Sequence, residues 1–306
     1  MNIARISATL TASMVVVAGL ASCGGNSSSS SATVTAQSTD VSIKFAARVG
    51  SQTLSCGETY SSIGNGVADT FLVNDFRMFI SNVALVHEDA TETALSLTQD
   101  GVWQSDSVAL LDFENGCANG TSETNNQILG SVELDNLNDV KGICFTVGVP
   151  FELNHLDTAT SASPLNTSGM FWAWQGGHKF IRIDGVGDPS NLAVGFNLHL
   201  GSTGCVSDGS TSAPTNECQY ANTPRICLAE FDADTQTVGV QLDAMLQGTD
   251  ISVNTASTPP GCMSGNFDPE CISIIPRIGL DFTHDDGVNP AVVYPALEPQ
   301  TTFVAF

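Results

Sequence analysis

The chain has 306 residues, of which 32 are acidic and 9 are lysine or arginine, giving a formal net charge of −23. So acidic a surface repels nucleic acid and anionic membrane faces, and no nucleic-acid partner is expected. With 42% hydrophobic residues the chain can bury a core, and its length fits one large sandwich or two smaller domains.

Residues 1–22 read as a bacterial lipoprotein signal. Arg5 supplies a positive n-region, residues 14–20 form an apolar stretch too short to span a bilayer, and Leu20-Ala21-Ser22 precede Cys23 at the cleavage point. Cys23 is the expected lipidation site, followed by a Ser/Gly-rich tether over 23–40 and a folded domain over 41–306. An ordinary secretory signal with a chance cysteine leads to the same compartment: periplasmic or cell-surface. Gly24, where inner-membrane lipoproteins typically carry aspartate, points to an outer-membrane anchor.

The first element beyond the tether alternates Val41, Ile43, Phe45, Ala47 and Val49 with Ser42, Lys44, Ala46 and Arg48, the period of a half-buried strand. Further strands are predicted over 76–86, 107–113, 131–134, 143–149, 171–174, 179–184, 192–200, 225–231 and 237–242. Gly, Asn, Asp, Ser and Pro separate them. The sole helical stretch is 242–246. Many short strands joined by long loops predict an all-β, disulfide-stapled β-sandwich.

Outside the cytoplasm, disulfides are the default for cysteine. Setting Cys23 aside leaves eight. Cys205 and Cys218 bracket a Ser/Thr/Pro/Asn loop, and Cys262 and Cys271 bracket one rich in Gly, Asp and Pro, so each pair reads as a loop staple. Cys56 and Cys117, both beside glycine, pair by elimination. Cys144 and Cys227 lie in apolar strand-like runs and are either buried thiols or a fourth bridge. The Cys-x-x-Cys spacing of zinc and thioredoxin sites is absent.

Several ordered motifs carry a family resemblance. Phe45-Ala46-Ala47-x-Val49-Gly50 with Cys56-Gly57 comes first, then Asp75-Phe76-Arg77 with Ile80-Ser81-Asn82-Val83, then Gly101-Val102-Trp103-Gln104 and Leu110-Leu111-Asp112-Phe113-Glu114-Asn115-Gly116. There follow Phe145-Thr146-Val147-Gly148-Val149-Pro150-Phe151-x-Leu153-Asn154-His155, Ser163-Pro164-Leu165-Asn166 and Met170-Phe171-Trp172-Ala173-Trp174-Gln175. Lys179-Phe180-x-Arg182-x-Asp184 and the run His199 to Cys205 complete the set. Over residues 41–280 the chain resembles the MbnP family, also called the metallo-mystery-pair four-Cys proteins. The resemblance implies a β-sandwich that binds copper and is paired with a di-haem cytochrome c peroxidase-like protein, which oxidises one tryptophan to kynurenine. It also implies that some cysteines are extras, with Cys144 and Cys227 at places of other residues in the family, and that His178 stands where tyrosine is expected.

A type-one copper site needs a cysteine thiolate, and the cysteines here are better read as disulfide halves. Imidazoles are the alternative. His155 and His199 fall inside the matched motifs and are the expected metal ligands, against a plainer role as hydrogen-bonded strand-end histidines. If 179–184 and 192–200 form a hairpin centred near 188, position 199 lies opposite about 177, which makes His178 a third candidate. Met170, Trp172 and Trp174 would share one strand face, placing a weak thioether and two indoles together, or forming a core stripe. Trp172 and Trp174 are the expected oxidation sites, ahead of Trp103. His87 and His284 read as loop histidines. No G-x-S-x-G, Walker, dinucleotide or His-Glu-x-x-His pattern occurs, and no intrinsic catalysis is expected. An alternative function is calcium-dependent adhesion or glycan binding through the acidic residues Asp232, Asp234 and Asp281 to Asp286.

Overall fold

A computed structural model describes residues 38–64, 70–117, 120–134, 137–187 and 195–306. The signal segment, Cys23, the tether up to residue 37 and the first residues of the predicted 192–200 strand lie outside the described residues.

Among the described residues two large sheets, of six and ten strands, form the body of the fold, with two small two-stranded hairpins beside them. The first is built on β1 (Ser38–Val49), whose buried residues Val41, Ile43, Phe45 and Ala47 follow the alternation in the sequence. The second is built on β2 (Thr70–His87), flanked by β3 (Val108–Asp112). The chain returns to the first sheet through β4 (Gln127–Glu133) and to the second through β5 (Val140–Val147). A one-turn helix α1 (Phe151–Asn154) and a small hairpin, β6 (Phe171–Ala173) with β7 (Gly177–His178), precede β8 (Ile181–Val186) and β9 (Gly195–Leu200). β10 (Arg225–Ala229), β11 (Thr237–Gln241), α2 (Leu242–Leu246) and the terminal β12 (Phe303–Ala305) follow.

In the first sheet the order is β12, β11, β1, β4 and the short strand Ser96–Leu97, so β1 sits at the centre. It pairs parallel with β11 (Phe45 opposite Val238) and antiparallel with β4 (Ile43 opposite Ile128). The second sheet runs β10, β5, β2, β8, β9 and Gly261–Cys262. The faces meet through aromatic edges: Phe45 of the first sheet packs on Phe145 of the second at 5.5 Å between centroids, and Phe145 on Phe303 at 5.6 Å. This is sheet-on-sheet packing, and one contiguous apolar core runs from Val41 to Phe303. Among the described residues there is therefore a single large sandwich rather than two domains.

All eight cysteines of the domain are bridged: Cys56–Cys117, Cys144–Cys227, Cys205–Cys218 and Cys262–Cys271. The open alternative for Cys144 and Cys227 closes as a bridge because the two face each other directly across β5 and β10.

Two local expectations are corrected. Met170 belongs to a 3-10 turn (Ser168–Met170), β6 ends at Ala173, and Trp174 lies in the turn that follows, so Met170, Trp172 and Trp174 do not share a strand face. The β8–β9 register is also different. His199 stands opposite Arg182, while His178 pairs with Phe171 in the small hairpin, so His178 and His199 are not cross-strand neighbours.

Candidate metal centre

Antiparallel register gathers a patch of charge on the face of the second sheet away from the core. Asp112, Arg77, Arg182 and His199 follow one another across β3, β2, β8 and β9, and Asp75 faces Asp184 one pleat away. Buried charge must be paired, and the two arginines are. Arg77 Nε donates to Asp75 Oδ1 at 2.9 Å, Arg182 Nε donates to Asp184 Oδ2 at 2.8 Å, and Arg182 also reaches Asp75 Oδ2 at 3.3 Å. The 168–170 turn lies over the guanidiniums: Gly169 O accepts from Arg182 and from Lys179 Nζ, and a Cβ at Gly169 would stand 2.8 Å from Arg182.

His199 ends this row. Its Nε2 lies 2.5 Å from Asp184 Oδ1, and its Nδ1 is buried without a hydrogen-bond partner. Burial pushes the His199 pKa down, more than the Asp184 hydrogen bond raises it, so the ring is neutral at neutral pH. Burial would raise Asp184, but hydrogen bonds from His199 and Arg182 outweigh it and hold the carboxylate ionised. A neutral ring has one N–H. Donated to Asp184, it leaves the lone pair on Nδ1. The Trp172 ring packs beside His199 at 6.5 Å between centroids. Trp172 also walls an open groove of about 470 Å³ together with Gln175, Ser202, Cys205, Pro259 and Met263.

His155 follows α1 and is buried against the next tryptophan: its Nδ1 donates to Trp174 O at 3.0 Å. That leaves Nε2 as an acceptor, 3.2 Å from Asn154 Nδ2 and 3.7 Å from Cys218 Sγ. Burial holds His155 below its ordinary pKa as well. Asn154 knits the region. It accepts from the His178 backbone N–H at 2.8 Å, and Gly177, at φ +73°, leaves it room, since a Cβ there would stand 2.6 Å from its amide.

His178 is fully buried, and its ring nitrogens are engaged within the fold. Both ring nitrogens already face backbone carbonyls, Asn154 O at 2.8 Å and Leu165 O at 2.9 Å, with Phe79 and Phe171 edge-on to the ring. Met170 has no exposed surface and belongs to the core. Trp103 packs partly on the core, its backbone N–H held by Asp100. The acidic loops of the calcium alternative use their carboxylates on their own turns: Asp232 accepts from Asp234 N, and Asp286 from Val288 N and Asn289 N. Among the described residues, three-donor clusters of His, Cys, Asp and Glu occur only around bridged cysteines, and one of them is His155 with Cys205 and Cys218.

Asp184 and Arg182 stand in the motif Lys179-Phe180-x-Arg182-x-Asp184, which by itself assigns them no role. The signal in the sequence is the pair of patterns Asp75-x-Arg77, at the start of the predicted 76–86 strand, and Arg182-x-Asp184, inside the predicted 179–184 strand, since two-residue spacing on a strand puts both charges on one face.

A two-sheet sandwich held by four disulfides, with a carboxylate-held imidazole beside an indole groove, defines a disulfide-stabilised all-β protein. The MbnP family model matches residues 38–264, and the chain belongs to that family. Its structure is similar to MbnP from Methylosinus trichosporium, with a TM-score of 0.70 and 26% identity, over 88% of this chain and 98% of that one. No curated protein matches the sequence.

Proposed function

We propose that this protein is an extracytoplasmic, lipid-anchored copper-binding protein without catalysis of its own, and that a di-haem cytochrome c peroxidase-like partner oxidises its Trp172 to kynurenine. One observation carries the copper reading: His199 Nδ1 is a buried, unpartnered donor whose ring is fixed from behind by Asp184. An outer carboxylate of this kind orients metal-bound imidazoles. An imidazole nitrogen suits copper, and the Trp172 ring beside His199 also lines the groove to which Met263 contributes a soft thioether. Copper held there would supply a soft, redox-active centre. The chain's own residues would orient it through the Asp184–His199 contact and shield it with the aromatic side chain at position 172. Trp172 is preferred over Trp174 and Trp103 for oxidation because of its contact with His199.

Copper analysis after loading with Cu(I) tests the first part. One ion per chain is expected, and His199→Ala is expected to lose it; full stoichiometry in that variant removes His199 as a ligand. His155→Ala reports whether the second imidazole of the matched motifs reaches the same ion. Mass spectrometry of protein co-expressed with the partner tests the second part. Kynurenine carries one oxygen more and one carbon fewer than tryptophan, and the peptide holding Trp172 is expected to show that change. The change on Trp103 instead would move the site, and its absence despite an active partner would remove the pairing.

A further inference from the structure

We propose that Cys205, Cys218 and His155 form a redox-gated second metal site: closed as a disulfide, and on reduction a His-Cys-Cys site for a thiophilic d10 cation such as Zn(II) or Cu(I). The three ligand atoms already lie within 4.8 Å of one another. His155 Nε2 points its lone pair toward Cys218 Sγ at 3.7 Å, because the Nδ1 hydrogen is committed to Trp174 O. The Asn154 amide that also faces Nε2 has a second acceptor in Ser202 Oγ at 3.3 Å, so a metal can take Nε2 without stranding it.

Opening the bridge does not scatter the ligands. Below it, Thr203 and Tyr220 exchange both backbone hydrogen bonds, at 2.9 and 3.0 Å, and Gln219 N donates to Gly204 O. The base of the 205–218 loop stays closed by backbone, and the disulfide is redundant for holding the two cysteines near His155. Access exists from two sides. Half-buried Cys205 lines the Trp172 groove, while Cys218 lines a separate cavity of about 230 Å³ with Phe151, Ser202 and Glu217.

The chemistry balances as follows. A dithiol reductant of the thioredoxin-like class attacks Cys205 Sγ, the more open sulfur, and the S–S bond breaks to release Cys218 as thiolate beside His155. The second thiol of the reductant then resolves the mixed disulfide, so the reductant is oxidised to its disulfide as the protein's bridge gains two electrons and two protons. Binding of the cation displaces those two protons, and the metal–thiolate bonds hold the reduced state.

The test uses full-length protein, a phosphine reductant in limiting amount, thiol mapping by alkylation, and Zn(II) as probe. The expected result is one additional Zn(II) per chain once Cys205 and Cys218 map as free. That ion is lost in Cys205→Ser/Cys218→Ser, is weakened about tenfold or more in His155→Ala, and is retained in Cys144→Ser/Cys227→Ser and in His199→Ala. Zinc uptake that ignores His155→Ala overturns the proposal. So does uptake that vanishes with Cys144→Ser/Cys227→Ser, or a 205–218 bridge that stays closed until the fold is lost.

Discussion

His199 illustrates how a side chain gets its chemistry from its neighbour. With its one N–H given to Asp184, the imidazole presents Nδ1 and no other donor atom. Asp184→Asn keeps the shape but replaces an ionised acceptor by an amide that can present its NH2 side. Copper affinity is expected to fall about 10- to 100-fold in that variant, the usual cost of losing such an outer partner. Competition against a Cu(I) chelator measures it, and wild-type affinity would show that Asp184 serves the sheet alone. The histidine itself was legible in the sequence as a strand-end residue inside a motif. Its partner was not, because naming Asp184 needs the β8–β9 register. Gly185 and Gly187 resemble turn residues and draw the predicted hairpin centre toward 188. In the structure Gly185 is inside β8, where a Cβ would stand 2.2 Å from the Phe71 ring. It is glycine to admit a neighbour, not to turn the chain, and sequence alone does not separate those two uses.

At the scale of the strand, β3 brings a carboxylate to a place where water does not reach. Burial pushes Asp112 up to about 7, against the pull of Arg77. The folded state therefore binds this proton more tightly than the unfolded chain, whose aspartates ionise near 3.8. Stability from this group is full below the unfolded value and is lost as pH rises through about 7. Asp112→Asn, neutral throughout, should remove that dependence. Relative to the variant, the wild type is expected to gain melting temperature as pH falls from about 8 to about 5; parallel profiles would show that Asp112 titrates normally. The difference between the two proteins is the right quantity, because His155, His178 and His199, all pushed down by burial, act in the opposite direction in both. The strands were readable from alternation, as in β1. The small β6–β7 hairpin was misread because Phe171-Trp172-Ala173-Trp174 is apolar throughout, and periodicity cannot locate a turn inside such a run.

For the molecule as a whole, the four bridges differ in what they constrain. Cys56–Cys117 closes a separation of 61 residues and Cys205–Cys218 one of 13. Loop-closure entropy alone gives about 4 kcal/mol for the first and about 3 kcal/mol for the second. The second should deliver less, since Thr203 and Tyr220 already close that loop by backbone hydrogen bonds. Urea unfolding of Cys56→Ala/Cys117→Ala and Cys205→Ala/Cys218→Ala is expected to show the larger loss in the first; equal losses would mean that the Thr203–Tyr220 bridge does not persist without the disulfide. The central place of β1 has a mechanical consequence. The chain enters the sandwich at this strand, held on one side by β4 and on the other by β11. A pull applied from the N-terminal side acts along the strand, so both ladders are loaded in shear and their hydrogen bonds must fail together. A pull from the C-terminus acts on β12, a three-residue strand at the sheet edge with β11 as its one neighbour in the sheet, where bonds are peeled one at a time. The ladder geometry therefore resists a pull on β1 and yields to a pull on β12.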